Sequence, residues 1–330
     1  MKVGALVLLY IVTPLSLITW FICLVNYSHS EGSERGLYRP VGPFKFALSI
    51  ILPSYLAYNG IRKKSLTTSG ALAAMIIGWI LCLVHYGFLV SLLTFYVVGS
   101  KATKFRISQK SQFDENADQH TARNCVQVLS NGGVATIFTL FYCLEDGCVE
   151  TPIDFVKSYS ASWWSVSVLG AISCSCGDTL ASELGPVLPF SQPYLVTSFQ
   201  RVPKGTNGGV SIAGTVASGL GGLIVGMSFY ITLLLSVDTE HIASSAHQWP
   251  VIALCTLAGF IGSLIDSLIG STFQYSGLAK GKYVVERPDP SVKDISGRAI
   301  FDNHAVNLIS TIITSLIMPR IAFYIWWFLT

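Results

Sequence analysis

The polar side chains with the clearest chemical potential lie in the stretch SCSCGDTLASELGP, residues 173–186. It places two carboxylates, Asp178 and Glu183, beside the hydroxyls of Thr179 and Ser182, directly after an apolar run. On an ideal helix two residues five positions apart are separated by about 140°, so the two acids need not bind one ion. The alternative interpretation is a surface helix that Asp178 caps at its N-terminus.

A further acid lies inside an apolar run, in GSLIDSLIGSTFQYSG (262–277). Gly262, Asp266 and Gly270 recur every four residues, so they share one face of a helix. An ionisable residue within a membrane span is costly and points by default to function. The alternative is a structural polar contact between helices. Because DSL (266–268) repeats the pattern of DTL (178–180), Asp266 is a candidate partner for the first acid.

A glycine-rich segment, RVPKGTNGGVSIAGTVASGLGG, spans residues 201–222. A glycine-rich loop that opens a helix can present backbone N–H groups to an anion, and the helix dipole adds attraction. Lys204 contributes a full positive charge. The order GxxxxGK[ST] of a Walker A loop is absent. A small-residue packing helix that follows a turn explains the same segment, and the two interpretations are compatible.

Three smaller polar patches complete the candidates. Lys101 and Lys104 are one helical turn apart and suit a phosphate, although they could be the ordinary basic flank of a span. Asn131 is followed by two glycines within an apolar run, where helix packing is the alternative. Asn303 and Asn307 are one turn apart where the last apolar run begins.

Apolar runs determine the elements that must position these residues. Only 12% of the chain is charged, against roughly 25% in soluble domains, and a spanning helix needs about 20 mostly apolar residues. We predict an all-α polytopic membrane bundle that forms a single domain over residues 1–330. About nine spans are expected, with eight or ten as alternatives: 5–25, 43–59, 69–84, 86–100, 124–144, 160–176, 208–235, 251–273 and 305–328.

Two of these runs carry alternatives. The segment 5–25 is interpreted as an additional, retained N-terminal transmembrane helix, and the alternative is a cleaved signal peptide. Pro319 removes a helical hydrogen bond, so it could divide the last span into two short helices.

The basic residues are concentrated in every second loop between the predicted spans. The loops 60–68, 100–123, 177–207 and 274–304 hold 15 Lys or Arg, whereas 26–42, 145–159 and 236–250 hold 3. The positive-inside rule places the first group, the N-terminus and the polar site in the cytoplasm. Topogenic residues beside anionic lipid also account for the net charge of +3, so no nucleic-acid partner is expected.

Short similarities between segments of the chain suggest an internal duplication. DTL and DSL form one pair, and TTSGALAA (67–74) and GTNGGVSIAG (205–214) form another. A duplicated bundle of spans would explain both pairs.

Acids, lysines and glycine N–H groups on one membrane face suit a phosphorylated ligand held through Mg²⁺. Phosphoryl transfer depends on positioning and charge neutralisation, and carboxylates hold Mg²⁺ together with phosphates and water. An acceptor that is itself a phosphate is already ionised and needs no general base. Because the rest of the chain is bilayer-embedded, we expect a lipid or isoprenoid acceptor.

Four ordered blocks make the chain resemble a known family: CGDTLASELG (176–185), VPKGTNGGVS (202–211), IDSLIGSTFQ (265–274) and DNHAVNLIS (302–310). They are similar to the signatures of the transmembrane protein 19 family, also labelled DUF92, over about residues 45–328. Plant and cyanobacterial relatives include the phytyl-phosphate kinase of tocopherol synthesis. The family is distantly similar to dolichol kinases and phosphatidate cytidylyltransferases, which use CTP.

The resemblance implies a prenyl- or phytyl-phosphate kinase of the endoplasmic reticulum or another endomembrane, with CTP or another nucleoside triphosphate as donor. A transporter or lipid flippase, or a non-catalytic member, is the alternative. The isoprenoid, the nucleotide and the oligomeric state stay open. We expect catalytic roles for Asp178, Glu183, Lys204 and Asp266, with Mg²⁺ on Asp178 and Asp266. Substrate contacts are expected from Lys101, Lys104, Asn131, Gly205, Thr206, Asn207, Gly208, Gln274, Asn303 and Asn307.

Within that assignment, Lys204 and the loop 205–209 would bind nucleotide phosphates, and Lys101 and Lys104 the prenyl phosphate. The block VPKGTNG departs from the VPPGTDG that plant relatives tend to carry, which makes Asn207 a poorer metal ligand. Glu183 is expected to orient a lysine or a hydroxyl.

Overall fold

The computed structural model describes residues 41–110, 122–190, 192–281 and 283–329, together with Pro14, Ile18, Trp20, Phe21 and Val25. These five positions are helical, and the remainder of the predicted first span, 5–25, lies outside the described residues. The retained span and the cleaved signal therefore both stay open for that segment.

Within the described residues, eight helices of 17 or more residues build the molecule. They are α1 (Pro43–Arg62), α2 (Thr68–Val84), α3 (Tyr86–Lys104), α4 (Cys125–Asp146), α5 (Tyr159–Leu184), α6 (Ile212–Ser236), α7 (Pro250–Phe273) and α8 (Asn303–Leu329). Each coincides with a predicted span. Four of them, α4, α6, α7 and α8, are long and apolar enough to cross a membrane. The mostly helical fold is confirmed, and the count of about nine spans stays a prediction, as does the duplication.

Two helices differ from the predicted spans. Helix α5 continues through Leu184, so Asp178 lies inside it and is not an N-cap. Helix α8 is continuous, so the alternative in which Pro319 divides the last span is wrong. Pro319 and Met318 are buried, and the Met318 side chain packs against Gly170 of α5. Neighbouring helices stabilise a helix across a proline in this way.

Short strands and helices occupy the connections. Residues Ile107–Lys110 and Thr239–Ser244 form short helices. Strand β1 (Tyr194–Leu195) pairs antiparallel with β2 (Gly209–Val210), so α6 begins after the predicted start of its span. Strand β3 (Ser276–Ala279) lies between β4 (Tyr283–Val285) and β5 (Lys293–Ser296) in an antiparallel sheet. The hydropathy pattern of this loop did not predict the sheet.

Helices α5, α6 and α7 cross where their backbones touch. A Cβ on Gly177 would lie 2.6 Å from the carbonyl oxygen of Gly259, and one on Gly221 would lie 2.8 Å from the Gly177 Cα. Small residues permit such close approach between membrane helices. The crossing fixes the position of the next residue of α5, Asp178.

The opposite end of the bundle is closed by an aromatic cluster. His85 separates α2 from α3 at the predicted turn VHYG, and its Nδ1 accepts the N–H of Gly87 at 3.0 Å. Its ring stacks on Phe88 and Phe229 and meets Tyr142 edge-on. All four side chains are buried, so this end is a packed core.

Candidate active site

The other end of the bundle contains a cavity of about 1000 Å³. The C-terminal ends of α3, α5 and α7 and the N-terminal ends of α4, α6 and α8 surround it. Each basic loop contributes lining residues, for example Ser65, Lys104, Lys204 and Arg287. The loops that the charge count groups together therefore meet at one end of the molecule. Which compartment that end faces stays a prediction.

The cavity gathers nearly all of the predicted site residues, although their roles stay predictions. Lys101 is exposed and is absent from the lining, although Lys104, one turn later, faces the cavity. The predicted residues that line it are Lys104, Asn131, Asp178, Glu183, Lys204, Gly205, Thr206, Asn207, Gly208, Asp266, Gln274, Asn303 and Asn307.

Asp178 of α5 and Asp266 of α7 form a pair of like charges at this cavity, and the negative charge of Asp178 repels that of Asp266. Ser263 Oγ donates to Asp178 Oδ1 at 3.3 Å, and Ser310 Oγ donates to Asp266 Oδ2 at 3.0 Å. With its amide nitrogen turned inward, Asn307 also donates to Asp266 Oδ2 at 3.3 Å. These hydrogen-bond donors are neutral, so they orient the two carboxylates without cancelling their charge.

The donor set at this pair fits Mg²⁺ rather than a metal held wholly by protein. In the part of the chain that the structure describes, no three His, Cys, Asp or Glu side chains are grouped to hold a metal ion. Mg²⁺ typically takes one or two carboxylates and completes its octahedron with water and phosphate oxygens. Asp178 and Asp266 supply that number of carboxylates.

Glu183 interacts electrostatically with a different charge, the guanidinium of Arg123. Burial lowers the pKa of Arg123, and the negative charge of Glu183 counters this effect. The backbone of Arg123 is held in place because its N–H donates to Ser65 O and its carbonyl accepts from Thr67 N, each at 3.0 Å. Sequence reasoning expected Glu183 to orient a lysine or hydroxyl and counted Arg123 only among topogenic residues.

Contacts with neighbouring segments fix the loop before α6. Lys204 Nζ donates to Pro186 O at 2.8 Å, which leaves two of its three protons for the cavity. Asn207 is held twice, by its N–H to Ser276 Oγ at 3.0 Å and by its Nδ2 to Tyr275 O at 3.2 Å. Asn207 therefore fastens the loop to the segment after α7.

Some of the backbone N–H groups that the sequence predicted to bind an anion instead form hydrogen bonds within the protein. Thr206 N donates to Pro203 O at 3.3 Å and Gly209 N to Thr206 O at 3.0 Å. At the start of α6, Gly214 N donates to Ser211 Oγ at 3.1 Å. These N–H groups shape the loop, so Lys204 is its main group for attracting an anion.

Sequence reasoning missed several polar residues of the cavity. Ser263 precedes Asp266 by three residues and Ser310 follows Asn307 by three, so helical spacing around the known acids and amides could have found both. Gln127, in the first turn of α4, precedes Asn131 by four residues and carries the same signal. The missed residues with no such local signal come from the segment before α4 and from the region around the sheet: Arg123, Glu286, Arg287 and Asp289. Gln274 Nε2 reaches this group by donating to Glu286 Oε1 at 3.1 Å.

Comparison with known proteins adds an independent finding. The family model described as integral membrane protein DUF92 matches residues 51–315. The chain is 37% identical to Protein PGR of Arabidopsis thaliana over 285 residues, which cover 86% of this chain and 98% of that protein. It is 28% identical to Protein VTE6, chloroplastic, of the same plant over 70% of this chain and 63% of that protein. An uncharacterized membrane protein of Methanocaldococcus jannaschii is 28% identical over 72% of this chain and 87% of its own length. No solved structure matches.

Proposed function

Because the chain belongs to the DUF92 family of integral membrane proteins, we propose that it is a membrane kinase with a phosphate acceptor. It transfers a phosphoryl group from CTP, or another nucleoside triphosphate, to a prenyl or phytyl monophosphate. The observation that carries this proposal is the acid pair Asp178–Asp266, two repelling carboxylates that line one large cavity. Lys104 and Lys204 line the same cavity, so it suits both a cation and phosphates.

Different residues have different roles in the proposed phosphoryl transfer. Mg²⁺ held by Asp178 and Asp266 would neutralise charge on the transferring phosphates. Lys204 attracts the nucleotide phosphates, and the loop that Asn207 fastens holds them in place. The acceptor oxygen, already ionised, forms a bond to the γ-phosphorus as the bond to the β–γ bridging oxygen breaks. The nucleoside diphosphate leaves, and no residue has to remove a proton.

The position of the cavity favours this chemistry over transport. Its lining comes from helix ends and loops at one end of the bundle, and the opposite end is a packed aromatic core. A transporter would need a site near the membrane midplane that opens to each side in turn. We propose that the cavity faces the cytoplasm of the endoplasmic reticulum or another endomembrane, where soluble nucleotide can reach it.

The test is a transfer assay with the full-length protein purified in detergent. Phytyl, farnesyl and geranylgeranyl phosphates are each incubated with CTP, UTP or ATP, with Mg²⁺ or with chelator. We expect Mg²⁺-dependent formation of a prenyl diphosphate from at least one pair. No product from any pair, with the protein still folded, would overturn the proposal.

Two variants and a binding measurement refine this test. Lys204→Ala should raise the KM for nucleotide at least tenfold, whereas Lys63→Ala should not, since Lys63 is an exposed lysine outside the cavity lining. Calorimetry of Mg²⁺–CTP binding addresses the non-catalytic alternative, which predicts neither binding nor turnover.

A further inference from the structure

An apolar slot of about 90 Å³ lies next to the cavity, between α1, α2, α3 and α4. Two glycines keep it narrow: a Cβ on Gly78 would lie 3.0 Å from Pro53 Cβ, and one on Gly132 would lie 3.3 Å from Ile77 Cδ1. The walls are mostly small or aliphatic side chains, among them Leu56, Ala57, Ala74, Leu89, Leu92 and Leu93. A single thin hydrocarbon chain suits this shape, whereas a two-chain lipid needs a wider opening.

The slot adjoins the cavity along a shared group of residues. Phe95, Arg123, Gln127 and Asn131 line both spaces. Three of these four side chains are polar, so the boundary between the two spaces changes from apolar to polar over one group of residues. A molecule that occupies both must be an amphiphile, with its apolar part in the slot and its polar group among these residues.

The charge at this junction is positive. The Arg123 guanidinium carbon lies 5.6 Å from the centroid of the Phe95 ring, and its terminal nitrogen would lie 3.0 Å from a Cβ on Gly99. Glu183, on the cavity side, attracts it. Arginine binds phosphate oxygens through parallel N–H bonds, so the polar group of the amphiphile is an anion of the phosphate type.

We propose that this slot holds the first isoprenoid units of the acceptor, with its phosphate bound at Arg123 and exposed to the cavity. The inference rests on the proposed function and specifies its acceptor site. It also replaces Lys101 in the predicted phosphate contact, because Lys101 does not line the cavity. The distal part of a longer chain continues into the bilayer, since α1 and α2 expose apolar side chains such as Ile51 and Ile76.

The test is photolabelling, which needs neither nucleotide nor turnover. The full-length protein in nanodiscs is irradiated with radiolabelled geranyl phosphate that carries a diazirine on its first isoprene unit, and labelled peptides are mapped. We expect label on α1–α4 at the slot, reduced at least fivefold by excess farnesyl phosphate. Farnesol, which lacks the phosphate, and dioleoyl phosphatidic acid, which has two chains, should compete at least fivefold less well.

Matched variants locate the site. Ala74→Leu fills the slot and should reduce labelling at least fivefold, whereas Ala73→Leu makes the same change on α2 outside the slot lining and should not. Arg123→Gln should reduce labelling comparably. Equal competition by phosphatidic acid, or labelling that Ala74→Leu leaves unchanged, would overturn the inference. Slot labelling without transfer would refute the kinase alone, and transfer without slot labelling would refute the slot alone.

Discussion

The two ends of the bundle differ in how their charged side chains are paired. At the cavity end, Asp178 and Asp266 place like charges together with neutral donors. At the opposite end, Lys45 Nζ lies 2.6 Å from Glu150 Oε1, and the two side chains are only 10% and 15% exposed. A paired buried charge stabilises its partner, whereas two adjacent carboxylates destabilise each other. The difference indicates a structural role for the paired end, and it supports the proposal that the acidic end takes a cationic ligand.

The surroundings of each group support this division. Lys45 Nζ also donates to the carbonyls of Val84 and Cys148, each at 3.1 Å, so all three of its protons are used. Substitutions at the two ends should therefore separate activity from stability.

The largest expected effect on activity comes from Asp178→Asn. This change removes one of the two carboxylates proposed to hold Mg²⁺, and kcat in the transfer assay should fall about a hundredfold or more. The free energy of unfolding should stay the same or rise, because the repulsion with Asp266 disappears.

Asp238→Asn is the control, since Asp238 is exposed and lies outside the cavity lining. Equal losses of activity in both variants, or a loss that follows from unfolding of the Asp178 variant, would contradict the separation of the two ends.

The largest expected effect on stability comes from Glu150→Gln. This change leaves the Lys45 ammonium buried beside a neutral amide, and removal of one partner of a buried pair costs about 3 kcal/mol. Thermal unfolding in detergent should shift down, while kcat per folded molecule stays near that of the parent. The double change Lys45→Met with Glu150→Leu should restore most of the lost stability, and an unaltered melting temperature in the single variant would refute this role.

Gly208→Ala should have a smaller effect, confined to the cavity end. Gly208 has a φ of +74°, and a Cβ there would lie 2.3 Å from Ser271 Cβ, so both strain and a clash displace the loop that holds Lys204. We expect a several-fold rise in the KM for nucleotide, with a loss of about 2 kcal/mol in stability. Gly281→Ala is the matched control, because Gly281 has a φ of +66° but open space around it. If both variants bind nucleotide like the parent, loop position does not govern binding.

The smallest expected effect is a pH dependence at the paired end. Burial raises the pKa of Asp154, but backbone N–H groups of Lys157, Ala246 and Val156 outweigh it and hold that pKa below its usual range. Asp154 therefore stabilises the fold at pH values above the ordinary Asp pKa of about 4. This contribution is lost as pH falls through the lower folded pKa. Asp154→Asn should make the melting temperature less sensitive to pH between neutral and acidic buffer, and an unchanged pH profile would refute it.

Local sequence patterns predicted the elements better than the contacts between them. Apolar runs located the helices because burial in lipid leaves a continuous local signal, and basic residues grouped the loops that meet at the cavity. The partners of Lys45 and Glu183 were not predictable, since Lys45 and Glu150 are 105 positions apart and depend on helix packing. Arg123 was missed for the same reason: its charge suggested only topology, and its position depends on backbone bonds to residues 65–67. The sheet after α7 escaped prediction because its strands are three or four residues long.

The glycine crossing of α5, α6 and α7 has a consequence for the membrane in which the protein works. Because Gly177 and Gly259 bring backbones into contact there, these two positions have no side chain that could repack as the helices slide. A bilayer that becomes thicker or thinner is accommodated by helix tilt, and here the helices would pivot about the crossing. Asp178 lies one residue from that pivot, so its position should stay nearly constant across membranes of different thickness.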